Sequence, residues 1–227
     1  MKPKLIIFDC DGVLVDSEPI SISVLVGVVT GAGGVMTEET AYLRFLGMSM
    51  ASVREILLSD FGFAVTEDHL ALARSEMRRR YAEELQAMPG IRDALDRLAV
   101  PVCVASSGTP ERIRFSLATT GLLELLEPNI YSATMVERGK PAPDLFLHAA
   151  RDMGAPPAAC IVVEDSPAGV TAAKAAGMRV FAFTGGSHAG KAGLEASLGA
   201  LGPDLIFDDM ALLPELVTGL GSQTRAG

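Results

Sequence analysis

Residues Lys4-Leu5-Ile6-Ile7-Phe8 run straight into Asp9-Cys10-Asp11-Gly12-Val13-Leu14, and this stretch decides the fold. A short apolar run with no polar alternation is buried on both faces, as in a central strand of a parallel sheet. The acids that follow then stand at the strand's carboxyl end, where open α/β sheets bind their ligands. While the extended conformation lasts, Asp9 and Asp11, two residues apart, point to the same side. Two buried like charges repel, so the pair requires a proton or a cation between them.

Outward from this strand the same pattern recurs. Val100–Ala105, Asn129–Ser132, Cys160–Val163, Met178–Phe183 and Asp204–Phe207 read as further strands. The helices between them have marked ends. Thr109-Pro110 reads as N-cap and first helical residue, with Gly121 just past the end. Pro143 or Asp144 opens a helix that stops at Gly154, and Ser166-Pro167 opens one that stops at Gly177. Strands and helices in alternation predict an α/β fold, a doubly wound parallel sheet with helices on both faces.

Residues 17–86 break the alternation. Ile56, Leu57 and Phe61 recur at helical spacing, as do Leu70, Ala73, Met77, Tyr81 and Leu85, and Met88-Pro89-Gly90 ends the region. So long a gap between consecutive strands exceeds an ordinary crossover. The expected division is therefore a sheet domain of residues 1–16 and 87–227 with an α-helical insert of residues 17–86. The small, polar tail Gly221–Gly227 reads as frayed.

The other strand ends carry chemistry too. Cys160–Val163 leads into Glu164-Asp165-Ser166; Ser166 serves as a helix N-cap, but the two acids have no such structural role. If this strand neighbours the first, up to four carboxylates converge, an all-oxygen set suited to a hard cation such as Mg2+. Val100–Ala105 leads into Ser106-Ser107-Gly108-Thr109-Pro110, small residues entering a helix N-terminus that favours an anion. Lys140, in Arg138-Gly139-Lys140-Pro141-Ala142-Pro143-Asp144, lies on the same rim, and Pro141 directs it toward extended geometry. A lysine held there neutralises both a carboxylate and a phosphate. Arg44, before Gly47-Met48-Ser49-Met50, is a candidate substrate contact, whereas Arg78-Arg79-Arg80 reads as a solvated helix face. His69, His148 and His188 show no metal-ligand spacing, although His188 follows the fifth strand on the active rim.

Composition narrows the classes. The chain has 227 residues, 49% of them hydrophobic and 21% charged, which excludes disorder and collagen-like repeats. Its net charge of -9 argues against a nucleic-acid partner. The apolar run Ile20–Val29 is too short to span a bilayer, and no secretory signal precedes Asp9, so a cytoplasmic protein without membrane partners is expected. Cys10, Cys103 and Cys160 form no CxxC pair and sit in or beside apolar runs, so buried free thiols are expected.

The four motifs in this order resemble the haloacid dehalogenase superfamily, in the branch of β-phosphoglucomutase and related sugar-phosphate phosphatases. The segment Asp11–Glu18, DGVLVDSE, is similar to that branch, and the helical insert matches its cap. The resemblance implies a Rossmann-like core and a Mg2+-dependent phosphatase of a small phosphorylated metabolite, a sugar or sugar-acid phosphate. Asp9 would be the nucleophile that forms an aspartyl-phosphate, and Asp11 the acid and base. Ser106 and Lys140 would hold the phosphoryl group, with Ser107, Gly108 and Arg44 binding substrate. The metal would lie between Asp9, the Asp11 carbonyl, Asp165 and Glu164, the last directly or through water. The mutase's linker histidine and cap arginine correspond here to Ser21 and Met50, which favours hydrolysis over phosphoryl return. A dehalogenase needs neither Mg2+ nor Asp11. A phosphomutase and a non-catalytic phosphometabolite binder remain the alternatives, and a monomer or weak homodimer is expected.

Overall fold

The computed structural model describes residues 2–46, 48 and 50–219. Gly47, Ser49 and the tail Gly221–Gly227 lie outside the described residues. Six parallel strands, β1 (Leu5–Phe8), β2 (Val102–Ser106), β3 (Ile130–Ser132), β4 (Cys160–Glu164), β5 (Arg179–Phe183) and β6 (Leu205–Phe207), form one sheet in the order β3-β2-β1-β4-β5-β6. Each apolar run expected to form a strand does so. The second starts late, because Pro101 has no N–H for the ladder; its carbonyl still accepts from the Ile6 N–H at 3.0 Å.

Four helices separate β1 from β2: α1 (Glu18–Gly31), α2 (Glu38–Phe45), α3 (Met50–Phe61) and α4 (Glu67–Glu84). The chain then continues through α5 (Ile91–Arg97) into β2, and through α6 (Pro110–Thr119) and α7 (Leu123–Leu126) into β3. After β3 come α8 (Asp144–Asp152), α9 (Pro167–Ala175), α10 (Ala189–Ala192), α11 (Leu194–Gly199) and α12 (Leu213–Gly219). Thr109 and Ser166 cap α6 and α9 as read from sequence, accepting from the backbone N–H groups of Arg112 and Gly169.

Successive strand residues feed opposite layers. Ile6, Phe8, Val104, Ile161, Val163, Phe181 and Phe183 face one cluster, which also takes Ile20, Val24, Tyr81 and Leu85 from the insert. Leu5, Ile7, Cys103, Cys160, Val162 and Val180 face the other, with Leu145, Phe146, Val170 and Leu198. Burial of each such side chain stabilises the fold by about 1.5–3 kcal/mol. The insert also has its own cluster of Ile22, Val29, Tyr42, Phe45, Val53 and Leu57. All three cysteines are buried and free.

The two connections to the insert run side by side. Val15 pairs with Ala87, the Asp16 N–H donates to the Gln86 carbonyl at 3.0 Å, and the Met88 N–H to that of Leu14 at 2.9 Å. On the far side α2 packs on α10, with the Lys191 ammonium 5.3 Å from the centre of the Tyr42 ring.

Candidate active site

Register brings the acids together. Phe8 is aligned with Val163, and the Asp9 N–H extends the ladder to the Val163 carbonyl at 3.0 Å. Glu164 therefore stands level with Asp9, and Asp165 follows at the turn into α9. Carboxylate oxygens of Asp9, Glu164 and Asp165 lie within 4.8 Å of one another, all buried. On the other side Val104 is aligned with Phe8, so Ser106 ends β2 on the same rim.

Lys140 enters from the loop between β3 and α8, where its peptide bond to Pro141 is cis. Its ammonium, 4% exposed, donates to Asp9 Oδ1 and Glu164 Oε1, both at 2.6 Å, and lies 5.0 Å from the Phe146 ring centre. Burial works against its charge, but Asp9 and Glu164 outweigh it and raise the pKa. The other oxygen of Glu164 accepts from the Ser166 N–H and hydroxyl, each at 2.9 Å. A Cβ on Gly169 would come within 1.8 Å of Glu164, so only glycine fits beneath it. Glu164 is thus a fixed partner for Lys140. The Asp9 carboxyl is pushed well up, first by burial and then by Glu164, Asp165 and Asp11, against the pull of Lys140. Three buried acids around one lysine leave an excess of negative charge, which a hard divalent cation fits.

Asp11 departs from the convergence of four side chains expected at sequence level. The chain turns at Gly12, whose φ of +77° suits glycine, and the Asp11 carboxylate swings out of the cluster. It accepts from the Ser17 hydroxyl at 2.7 Å and from the Arg112 guanidinium at 2.5 Å. Burial works to raise its pKa, but Arg112 and Ser17 prevail and hold it below the usual carboxylate range.

Ser106 Oγ accepts from the Gly108 N–H at 3.1 Å, and the Ser132 hydroxyl donates to the Gly108 carbonyl at 2.6 Å, which fixes the loop before α6. Ser107 is exposed and Gly108 buried on that rim. Arg44 is not brought to the cluster. It pairs with Asp60, and its guanidinium lies 5.8 Å from the centre of the Phe61 ring. Arg79 pairs with Glu76 and Glu83, and Arg80 with Glu84, on the solvated face read from sequence, but Arg78 departs from that reading and lies over the Phe115 ring of α6.

Three contributors were not singled out from sequence. Arg112 sits in the first turn of α6, one turn after the loop already marked as an anion site. Ser17 and Glu18 stand in the quoted DGVLVDSE segment; Glu18 is half-buried, and burial with nearby Asp165 and Asp11 raises its pKa to about 8. His188 goes beyond the rim position read from sequence: it is fully buried, 3.2 Å from Asp165 Oδ2 and 4.0 Å from Asp16 Oδ1. Burial disfavours its charge, yet these carboxylates raise its pKa to about 9.

Fold and cluster define a parallel α/β protein centred on buried carboxylates and a lysine at the switch point of its sheet. The haloacid dehalogenase-like hydrolase family matches residues 3–177, and the chain belongs to that family. It is 32% identical to 6-phosphogluconate phosphatase of Escherichia coli (strain K12), over 82% of this chain and 84% of the relative. It is 31% identical to phosphorylated carbohydrates phosphatase of Thermotoga maritima, over 87% and 93%. Among solved structures, a conserved haloacid dehalogenase-like protein of unknown function from Agrobacterium tumefaciens superposes with a TM-score of 0.85 at 35% identity, covering 97% of this chain and 100% of that one.

Proposed function

We propose that this hydrolase cleaves the phosphate monoester of a small sugar or sugar acid through an aspartyl-phosphate on Asp9. The observation that carries the reading is Lys140, buried between Asp9 and Glu164 at the ends of two adjacent strands. An anionic nucleophile attacking a phosphate must overcome repulsion, and a cation fixed beside it does that without reorganisation. The named phosphatases among the relatives support the substrate class.

Asp9 attacks phosphorus in line with the leaving alcohol, and Asp11 gives that alcohol a proton. Asp11 then takes a proton from the water that hydrolyses the acyl phosphate, which frees inorganic phosphate and restores Asp9. As placed, Asp11 is held ionised by Arg112, ready for the second step; for the first it must leave Arg112 and carry a proton, taken up from solvent and regenerated each turnover by the proton it removes from the hydrolytic water. Ser106 and the first turn of α6 receive the phosphoryl oxygens. Mg2+ held by Asp9, Asp165 and the Asp11 carbonyl would supply further neutralisation of the phosphoryl charge, with Glu164 orienting Lys140. Residues 17–86 form a cap that moves on the paired connections at Val15–Asp16 and 86–90, closing the centre to water. Ser21, a hydroxyl and not an imidazole, is engaged with Tyr81 and Met77 of α4, which favours hydrolysis over a mutase.

A panel of sugar and sugar-acid phosphates tests this directly. Release of inorganic phosphate that needs Mg2+ and is abolished in Asp9→Asn is expected. An isomeric phosphate ester as product, or tight binding without turnover, would contradict it.

A further inference from the structure

Beyond the residues that meet substrate, His188 occupies a place the chemistry above does not use. It sits at the end of Gly185-Gly186-Ser187-His188, the loop after β5. Two glycines press this loop inward. A Cβ on Gly185 would lie 2.0 Å from the Asp208 carbonyl oxygen, and one on Gly186 would lie 2.4 Å from His188 Cε1. Packed this way, the imidazole is 0% exposed, with Nε2 toward Asp165 and Nδ1 toward Asp16. Asp165 Oδ2 is also closed in by the backbone turn, since a Cβ on Gly12 would come within 1.8 Å of it. Asp16 belongs to the paired connection to the helical insert. A rigid five-membered ring therefore spans from the proposed metal loop to the cap linker.

We infer that His188 is a positioning residue: its Nε2, 3.2 Å from Asp165 Oδ2, holds that carboxylate so that the remaining oxygen is presented to the metal, while its Nδ1 faces Asp16 Oδ1 at 4.0 Å, within ion-pair range but beyond hydrogen-bond reach. Partners of this kind fix the orientation of a ligating carboxylate, and their removal lowers metal affinity without touching the ion. The inference rests on the metal site proposed above.

Side-chain amides separate the two contacts. His188→Gln places an N–H donor where Nε2 stood, toward Asp165. His188→Asn places its donor where Nδ1 stood, toward Asp16. Mg2+ affinity, measured by calorimetry without substrate, should stay within about threefold of wild type in His188→Gln and fall by about tenfold or more in His188→Asn. Thermal unfolding in chelator should be alike in the two variants. In the unaltered protein, imidazole nitrogen resonances report the same contact; among its 3 histidines, His188 alone should shift on Mg2+ titration. Equal affinities in the two variants, or His188 resonances indifferent to bound Mg2+, would overturn the inference alone. A wild-type protein that binds no Mg2+ would overturn the metal site and the inference with it.

Discussion

Two cations divide the work at the residue scale. Lys140 is locked between Asp9 and Glu164, whereas Arg112 holds Asp11 apart from them. Lys140→Ala should reduce kcat by about 10²–10³-fold, the range for losing one preorganised donor. Lys140→Arg should not restore it fully, because a planar fork does not fill the place of a compact ammonium. Near wild-type kinetics in both would make Lys140 a bystander. Arg112→Met should raise the Asp11 pKa, since it removes a cause that holds it down. The acidic limb of kcat for p-nitrophenyl phosphate, where Asp11 must be ionised to activate water, should then move to higher pH. An unmoved limb would show that Asp11 does not set it. The acids and Lys140 were legible in sequence because each follows an apolar run on one rim. Arg112 was not, because its partner is 101 residues away and a lone arginine in a helix carries no periodic signal. Arg44 shows the converse: its place beside a cap loop suggested substrate, while the fold gives it Asp60.

At the scale of elements, the strands were legible because a buried parallel strand needs an unbroken apolar run, and their helices because Pro, Ser, Thr and Gly mark the ends. What the runs could not give was the turn at Gly12, which sends Asp11 away from Asp9. That turn is itself testable. Gly12→Ala forces a Cβ into the left-handed region, about 1–2 kcal/mol of strain, and against Asp165 Oδ2. It should destabilise the fold modestly while greatly weakening Mg2+ affinity and turnover. A variant with wild-type Mg2+ affinity would mean that Asp165 need not stand where it does. In the cap, Arg44→Ala should slow all phosphate esters by one small common factor; selective loss on anionic sugar-acid phosphates would place Arg44 at the leaving group after all.

Over the whole molecule, the centre lies where the strand order reverses between β2, β1 and β4, and the helical insert touches the elements around the sheet in two places, through α4 on α6 and α2 on α10. The Arg78 guanidinium lies 4.6 Å from the centre of the Phe115 ring at the first of these contacts. Among the described residues no helix is long and apolar enough to cross a membrane. Stability of the metal-free protein should carry the mark of His188. Its pKa rises from 6.5 to about 9 on folding, so its protonated contacts stabilise fully below pH 6.5 and are lost as pH rises through about 9. The Tm gap between wild type and His188→Gln should narrow across that window, and a constant gap would contradict the charge. The central claim, that Asp9 carries the phosphoryl group, is tested most directly by acid-quenching the enzyme during turnover of a phosphate ester and mapping the modified peptide by mass spectrometry. One phosphoryl group on Asp9, absent in Asp9→Asn, is predicted; phosphate released at wild-type rate by Asp9→Asn, or a phosphoryl group on another residue, would contradict it.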